Sequence, residues 1–465
     1  MLRSSVAAVL LPCLLAAQGP GCHDLNAVAA IGEDFLAAYP VIGDSCIQVD
    51  QRGQTMHQSV HGAFTLAEVV AIASATKTLS AAVLLSLVDS GTLSLDDRVG
   101  QYLPEYNSGP LAAITLRMCF AHTSGMPAND PAINDNTTTL RAAAQHLATL
   151  PLQAAPGTTF EYGGVSMHVA GAVCEVAAGM PWAQLFQQRI AGPLQMTATD
   201  YYAFGPTLNP RIAGGARSNL RDYAAFVDML RARGSWHGVQ VLQPASVDVM
   251  LSDQTSGLPV LNTPHPEGAP YGIGIWLDRR DGQGQTVQAS AGGAFGFAAW
   301  VDRAHDASGV FLTLNRYPLV YPYLQQIWQV CDDALLPAGV QCVGGGSPAC
   351  DDGMWCNASR AARTGEAEFQ IVGSRGPANA LGGVLLGGVS SIPAPLFDLD
   401  LWIGLPAPVF SIVVGDADGR MVLPAPLSLV PAGTVLGAQW LALDSGGCGS
   451  VGLRASHALQ LSILP

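Results

Sequence analysis

The sequence predicts an α+β domain followed by a C-terminal β-sandwich. Short apolar strands lie at both ends of the first two-thirds of the chain, helical periodicity fills the interval between them, and after about residue 336 the helical period disappears. At 465 residues the chain exceeds one ordinary core, and 49% apolar with 12% charged residues is a globular composition. Size does not limit this fold.

The first element is expected to be a leader. One positive residue, Arg3, precedes an apolar run from Val6 to Ala17 within a stretch that ends "CLLAAQGPG", the pattern of an n-region, an h-region and a small-residue cleavage site. Residues 1–17 are therefore read as a signal peptide, and the mature protein as secreted or periplasmic. No later apolar stretch reaches the roughly 18 residues a membrane span requires.

The α+β domain is expected over residues 24–335. "CIQVDQRGQTMHQSV" reads as two strands turning at Arg52-Gly53. From Ser74 to Ser90 the residues Leu79, Val83, Leu84, Leu87 and Val88 recur at three- and four-residue spacing, and Gly91 supplies the stop. Such a helix is buried on more than one face. Further helices are predicted near 138–149, 166–178, 182–190 and 219–233, the last capped by Ser218 or Asn219, and strands at "YGIGIWLD", "FGFAAWVD" and "GVFLTLN".

Residues 336–365, rich in Gly, Pro, Ser and Cys, read as a linker stapled by disulfides. Cys331, Cys342, Cys350, Cys356 and Cys448 fit no zinc ribbon or CxxC redox motif, so disulfides are expected, with the connectivity open; Cys119 and Cys174, in apolar surroundings, read as core thiols. Residues 366–465 contain "AEFQIVG", "PVFSIVVGDADGR" and "HALQLSIL", short runs separated by turn residues that include Asp418-Gly419. They predict the antiparallel sandwich.

A net charge of -14 with no basic run excludes nucleic acid as a partner. The chain has no GxSxG elbow, HExxH, P-loop or GxGxxG after a strand, so neither a metal nor another cofactor is expected. The chemistry concentrates in "ASATKTL", residues 73–79, which holds the chain's only lysine among 21 Lys plus Arg. Ser74 three residues before Lys77 at a helix start shares its face, so the amine can reach the hydroxyl. A desolvated lysine can lose its proton and accept the serine's, whereas a guanidinium stays charged. The alternative is an exposed lysine on an ordinary helix.

The setting of the pair decides between these readings. "VVAIASATKTLSAAVLLSLVDSGTLSLDDRVGQYLPEY", "ITLRMCFAHTSGMP", "PGTTFEYGGVSMHVAGAVCEVAAGMPWAQLFQQRIAGPLQM", "AGGARSNLRDYAAFVDML" and "SAGGAFGFAAWVD" resemble, in order, the segments of the serine β-lactamase-related family. That family includes class C β-lactamases, D,D-peptidases and esterases, and the resemblance covers about residues 25–335. It implies a β-lactamase/transpeptidase-like fold: an antiparallel sheet flanked by helices, with a helical subdomain and the site in the groove between them.

The resemblance also implies roles. Tyr162 matches the tyrosine of a YxN motif and would shuttle protons beside Ser74, its phenol made more acidic by Lys77. Gly164 replaces that motif's asparagine, which would orient substrate amides and the lysine. Ser290-Ala291-Gly292-Gly293 matches the KTG or HxG strand, with Ser290 where a cation or imidazole would stand. Gly292 would let the strand approach substrate, and the Gly293 N–H would join the Ser74 N–H in an oxyanion hole. With both polar anchors missing, an uncharged ester or amide is the expected substrate, and an esterase or peptidase is expected rather than a true β-lactamase. His122, Arg217 and Asp222 are expected to be structural. An inactive binding module is the alternative, with polymer contact through the C-terminal domain.

Overall fold

Arg52 and Gly53 both take left-handed conformations, with φ of 54° and 76°, so their two-residue turn matches the twist of the strands it joins. It connects β1 (Ser45–Gln51) to β2 (Gln54–His61), as the sequence predicts. The structure, a computed structural model, describes residues 25–282, 284–343, 354–374, 376–396, 399–444 and 452–465. The expected signal peptide lies outside the described residues. The described chain divides into two units, Leu25–Asp333 and Ala334–Pro465.

In the first unit α1 (Asn26–Ala38) packs on the β1–β2 ribbon. The chain then forms α2 (Thr76–Asp89), α3 (Leu140–Leu147), α4 (Val165–Ala178) and α5 (Trp182–Phe186), and returns through α6 (Leu220–Arg231). Asn219 caps α6, its side chain accepting from the Asp222 N–H at 2.9 Å. Strands β3 (Trp276–Arg280), β4 (Thr286–Gly292), β5 (Ala298–Asp302) and β6 (Ala307–Thr313) follow, and α7 (Tyr317–Ala334) comes last. The sheet runs β2-β1-β6-β5-β4-β3 with every neighbouring pair antiparallel. The family architecture inferred from the motifs is the one observed.

α2 is the unit's central helix, with every residue from Thr76 to Leu87 buried. Each apolar side chain so buried stabilises the fold by about 1.5–3 kcal/mol. Its hydroxyls are satisfied by neighbouring segments: Thr78 donates to Gly274 O, Ser80 to Ile212 O, and Thr76 accepts from the Ala216 N–H. The strand predicted at 271–278 begins only at Trp276, because Gly274, left-handed at φ 75°, packs against the α2 backbone at Lys77 and donates its N–H to Phe120 O. No single described helix is long and apolar enough to cross a membrane.

The second unit contains β7 (Val340–Val343), β8 (Trp355–Ala358), β9 (Gln370–Ser374), β10 (Leu381–Leu396), β11 (Leu399–Val414), β12 (Met421–Pro424), β13 (Val435–Leu443) and β14 (Leu453–Ser462). A five-stranded sheet, β7-β14-β13-β10-β11, and a three-stranded sheet, β8-β9-β12, close on one core that includes Cys356, Ile371, Met421, Val384, Trp440 and Leu459. Two expectations are corrected. The segment read as a linker contributes β7 and β8, because Val340, Cys342 and Cys356 bury into that core. Of the cysteines expected in disulfides, Cys342 is disulfide-bonded, Cys331 and Cys356 are buried free thiols, as Cys46, Cys119 and Cys174 are, and Cys350 and Cys448 lie outside the described residues.

One close approach offers a test of the sheet. Gly309 lies opposite Trp300 in the β5–β6 register, and a Cβ at 309 would fall inside the fully buried indole. Gly309→Ala is expected to lower unfolding free energy by about 1–3 kcal/mol through overpacking. Gly282→Ala, where a Cβ meets nothing within 4 Å, is expected to change it by under about 0.5 kcal/mol. Urea titrations followed by tryptophan fluorescence compare the two; equal effects would count against this packing.

Candidate active site

The chain enters α2 through a strained turn. Ala73 has φ of 44°, a left-handed conformation that side-chain-bearing residues seldom adopt, and the 3-10 turn Ala73–Ala75 then feeds the helix. Tyr223 of α6 donates its phenol to Ala75 O at 2.8 Å and holds this turn from outside. Ser74 is thereby presented, half-buried, where the positive end of α2 favours developing negative charge.

Lys77 lies one turn on and is 4% exposed. Its Nζ is 3.2 Å from Ser74 Oγ, donates to Ala213 O at 2.8 Å, and sits 4.5 Å from the centre of the Tyr162 ring. No carboxylate among the described residues pairs with it. Burial alone pushes the amine down from its ordinary value to about 7, so much of it is unprotonated at neutral pH.

Tyr162 reaches the same point and corrects one expectation. Burial holds its phenol above the ordinary tyrosine value, opposed only by its hydrogen bond with Ser74. The phenol therefore stays protonated and can give a proton, while Lys77 is the group able to take one. Tyr162 is fixed by stacking on Trp276, with centroids 5.1 Å apart, and by His122 at 4.6 Å. His122 is buried, left-handed at φ 57°, and neither ring nitrogen has a hydrogen-bond partner. Burial and nearby Lys77 hold it neutral. Arg217 pairs with Asp200, and Asp222 accepts from the Ala198 N–H and the Thr199 hydroxyl, so both support the loop before α6.

The cleft over these groups, of about 570 Å³, is lined by Ser74, Lys77, Tyr162, Gly164, Gly292 and Gly293 among others. The structure brings six of the seven expected residues together. Ser290 is the exception: it is fully buried, its hydroxyl donates to Asp278 at 3.1 Å, and it does not line the cleft. Asp278 also contacts His265 Nε2 at 3.1 Å, while His265 Nδ1 accepts from the Glu267 and Ala269 N–H groups. Gly293 lines the cleft, but its N–H donates to Phe297 O at 2.8 Å and closes the β4–β5 hairpin. The expected second oxyanion donor is therefore already engaged, which leaves the Ser74 N–H as the backbone donor beside the Ser74 hydroxyl. A Cβ at Gly164 would lie 2.8 Å from Ile133 Cδ1, the movable end of a side chain, so Ile133 borders this position.

Sequence reasoning missed the Ala213 carbonyl, which accepts from Lys77. A backbone acceptor leaves no trace in residue type. It also missed the cleft residues Trp276, His265, Phe204, Phe295, Arg211 and Arg316, which come from loops far apart in the chain.

A model of the beta-lactamase family matches residues 41–323. The chain belongs to the beta-lactamase family. Over 147 residues it is 32% identical to the D-alanyl-D-alanine-carboxypeptidase/endopeptidase AmpH of Escherichia coli (strain K12), covering 29% of this chain and 37% of AmpH. Over 240 residues it is 30% identical to the lovastatin esterase of Penicillium rubens, covering 40% of this chain and 59% of the esterase. The matched region thus spans between about a third and three-fifths of these relatives. A crystal structure from Bacteroides dorei, provisionally assigned as a beta-lactamase, matches with a TM-score of 0.59 at 28% identity, covering 66% of this chain and 99% of that one. EstCE1, described as a hydrolase with promiscuous acyltransferase activity, matches in fold with a TM-score of 0.55 at 20% identity, covering 66% and 98%.

The buried amine has a measurable signature in stability. Between pH 7 and the ordinary lysine value the unfolded chain binds a proton at Lys77 that the folded chain lacks, so stability rises with pH across that window by up to about 1.4 kcal/mol per unit. Lys77→Met is expected to be more stable than wild type at pH 7, by a few kcal/mol, and to lose that advantage towards pH 10.5. Urea midpoints at pH 7, 8.5 and 10 read the difference; a gap that did not vary with pH would show that Lys77 keeps an ordinary pKa.

Proposed function

We infer that this protein is a serine hydrolase that cleaves an ester or amide through an acyl-enzyme, as an esterase or peptidase rather than a β-lactamase. The observation that carries this is the Lys77 amine, 3.2 Å from Ser74 Oγ, buried without a carboxylate and brought to about 7. A free amine so placed holds one N–H on Ala213 O and turns its lone pair to the serine proton. In acylation Ser74 Oγ bonds to the carbonyl carbon as its proton moves to Lys77, and the oxyanion develops beside the Ser74 N–H at the start of α2. When the carbon–heteroatom bond breaks, the leaving group takes a proton from the Tyr162 phenol, which the Lys77 ammonium replaces. Water then adds to the acyl carbon, giving its proton to Lys77, and Lys77 returns that proton to Ser74 Oγ as the acid departs.

The names of the esterase and peptidase relatives support this class of substrate. The site itself argues against β-lactams. Gly164 offers no amide side chain, and Ser290 puts no cation on the strand. The leader-like pattern of residues 1–17 supports export, so the substrate is one met outside the cytoplasm.

Turnover of a small chromogenic ester is expected to exceed that of a chromogenic cephalosporin, and a cephalosporin rate rivalling the ester would overturn the preference. Ser74→Ala should abolish both turnover and labelling by a fluorophosphonate probe. Wild-type protein that fails to label would favour the binding-module alternative. Lys77→Arg keeps the charge but cannot take the proton, and is expected to lower kcat/KM about 10³-fold. Because the unprotonated amine is the base, kcat/KM should rise as pH passes about 7. A rate independent of pH between 5.5 and 8.5 would assign the base to another group.

A further inference from the structure

Behind the cleft a carboxylate is buried without a counter-charge. The Asp278 side chain, on β3, is only 4% exposed, and among the described residues no lysine or arginine forms an ion pair with it. Arg279, next in the strand, is engaged by Asp332 and Asp302. The pairing of β3 with β4 passes from Leu277–Ala289 to Arg279–Gln288, so Asp278 is the extra residue of a bulge, a feature that re-aims a side chain. The donors it receives are uncharged. Ser290 gives its hydroxyl to Oδ1 at 3.1 Å. His265 Nδ1 accepts from two backbone N–H groups, so the proton of that ring sits on Nε2, which meets the same Oδ1 at 3.1 Å. Oδ2 is buried and has no hydrogen-bond partner.

A second oxygen nearby is also unpartnered. Tyr317, 9% exposed, opens α7 and lays its ring on Gly292, where a Cβ would lie 2.7 Å from the phenol oxygen. Burial and nearby Asp278 hold this phenol well above its ordinary value, so it is an uncharged oxygen. Ser290 is close enough to act on it as well, but outside bonding geometry: Tyr317 Oη is buried and bonded to neither group. Asp278 Oδ2, Tyr317 Oη and the fully buried Ser290 hydroxyl are thus gathered behind the cleft with one negative charge among them. A buried charge is ordinarily paired or coordinates a metal. Oxygen donors suit a hard cation, and a lone carboxylate balances a single positive charge. Tyr317 and His265 line the cleft, which gives such an ion its way in.

We propose that Asp278, Ser290 and Tyr317 bind a monovalent alkali cation behind the catalytic cleft. The ion cancels the Asp278 charge and adds no net charge to the cleft, so the preference for uncharged substrates stands. By joining α7 to β3 and β4 it fixes the Tyr317 wall of the cleft. It revises the expectation that no metal binds, which rested on sequence motifs, whereas these ligands come from three separate elements. The ion is off the reaction path, so the proposal does not depend on the serine hydrolase reading.

Thermal unfolding of the intact protein in NaCl, KCl and choline chloride, at matched ionic strength so that screening is constant, tests this. Wild type should melt about 3 °C or more higher in NaCl or KCl than in choline chloride, with a rise that saturates as the alkali ion replaces choline. Asp278→Asn keeps the shape of the side chain and removes its charge. It should lose the alkali response and melt above wild type in choline chloride, where the wild-type carboxylate has no counter-ion. Tyr317→Phe removes one ligand oxygen and should move the response to higher salt, a second reading should Asp278→Asn fail to fold. Glu68→Gln, at an exposed carboxylate, should respond as wild type does. Equal wild-type midpoints in the three salts would overturn the proposal, as would an alkali response that persists unchanged in Asp278→Asn or, where that variant does not fold, in Tyr317→Phe.

Discussion

A lysine amine held out of water with no carboxylate to neutralise it is the constraint around which the first unit is arranged. A charged amine at this depth is destabilised, so the group sheds its proton near neutrality, and the structure must then supply acceptors and donors suited to a free amine. The Ala213 carbonyl is one, and its position is not left to the loop alone. Thr76 and Ser80, on α2 with Lys77, bond Ala216 and Ile212 on either side of Ala213. The helix that carries the amine therefore also fixes the amine's acceptor, and the i to i+3 or i+4 spacing puts all three side chains on one face.

The same logic divides the proton chemistry. Burial moves acids and bases in opposite directions, lowering Lys77 and raising Tyr162, so desolvation alone makes one group an acceptor and the other a donor. No neighbouring charge is needed. A carboxylate placed beside Lys77 would reverse the arrangement, because it would restore the ammonium. The neutral His122 against Tyr162 is consistent with that, since it packs the site without adding a charge. The left-handed Ala73 belongs to the same design: the strain sets Ser74 at the helix start, and the Tyr223 phenol on Ala75 O keeps the turn from relaxing.

Much of this was legible from residue pattern. The Arg52-Gly53 hairpin, α2 and the Asn219 cap each rest on local rules of turn chemistry and period, and each stands near where the sequence puts it. The Ser74, Lys77 and Tyr162 constellation was legible because its spacing and order resemble a family. What escaped depends on contacts that no local rule encodes. Ala213 acts through its backbone, Ser290 turns onto a carboxylate twelve residues earlier in the chain, and Gly293 spends its N–H on a hairpin.

The departures from the family motifs also bear on whether the site is spent or adapted. Loss of a catalytic role would be expected to leave vacated polar positions open or mismatched. Here Ile133 borders Gly164, the Ala213 carbonyl accepts from Lys77, and Ser290 joins Asp278 and His265 in a buried network. Burial meanwhile lowers the Lys77 pKa, and no ion pair holds the amine among the described residues, so packing gives no reason for an amine at that point. A buried amine 3.2 Å from Ser74 Oγ, in a chain whose other Lys or Arg residues are all arginines, is what the proton transfer proposed for it requires.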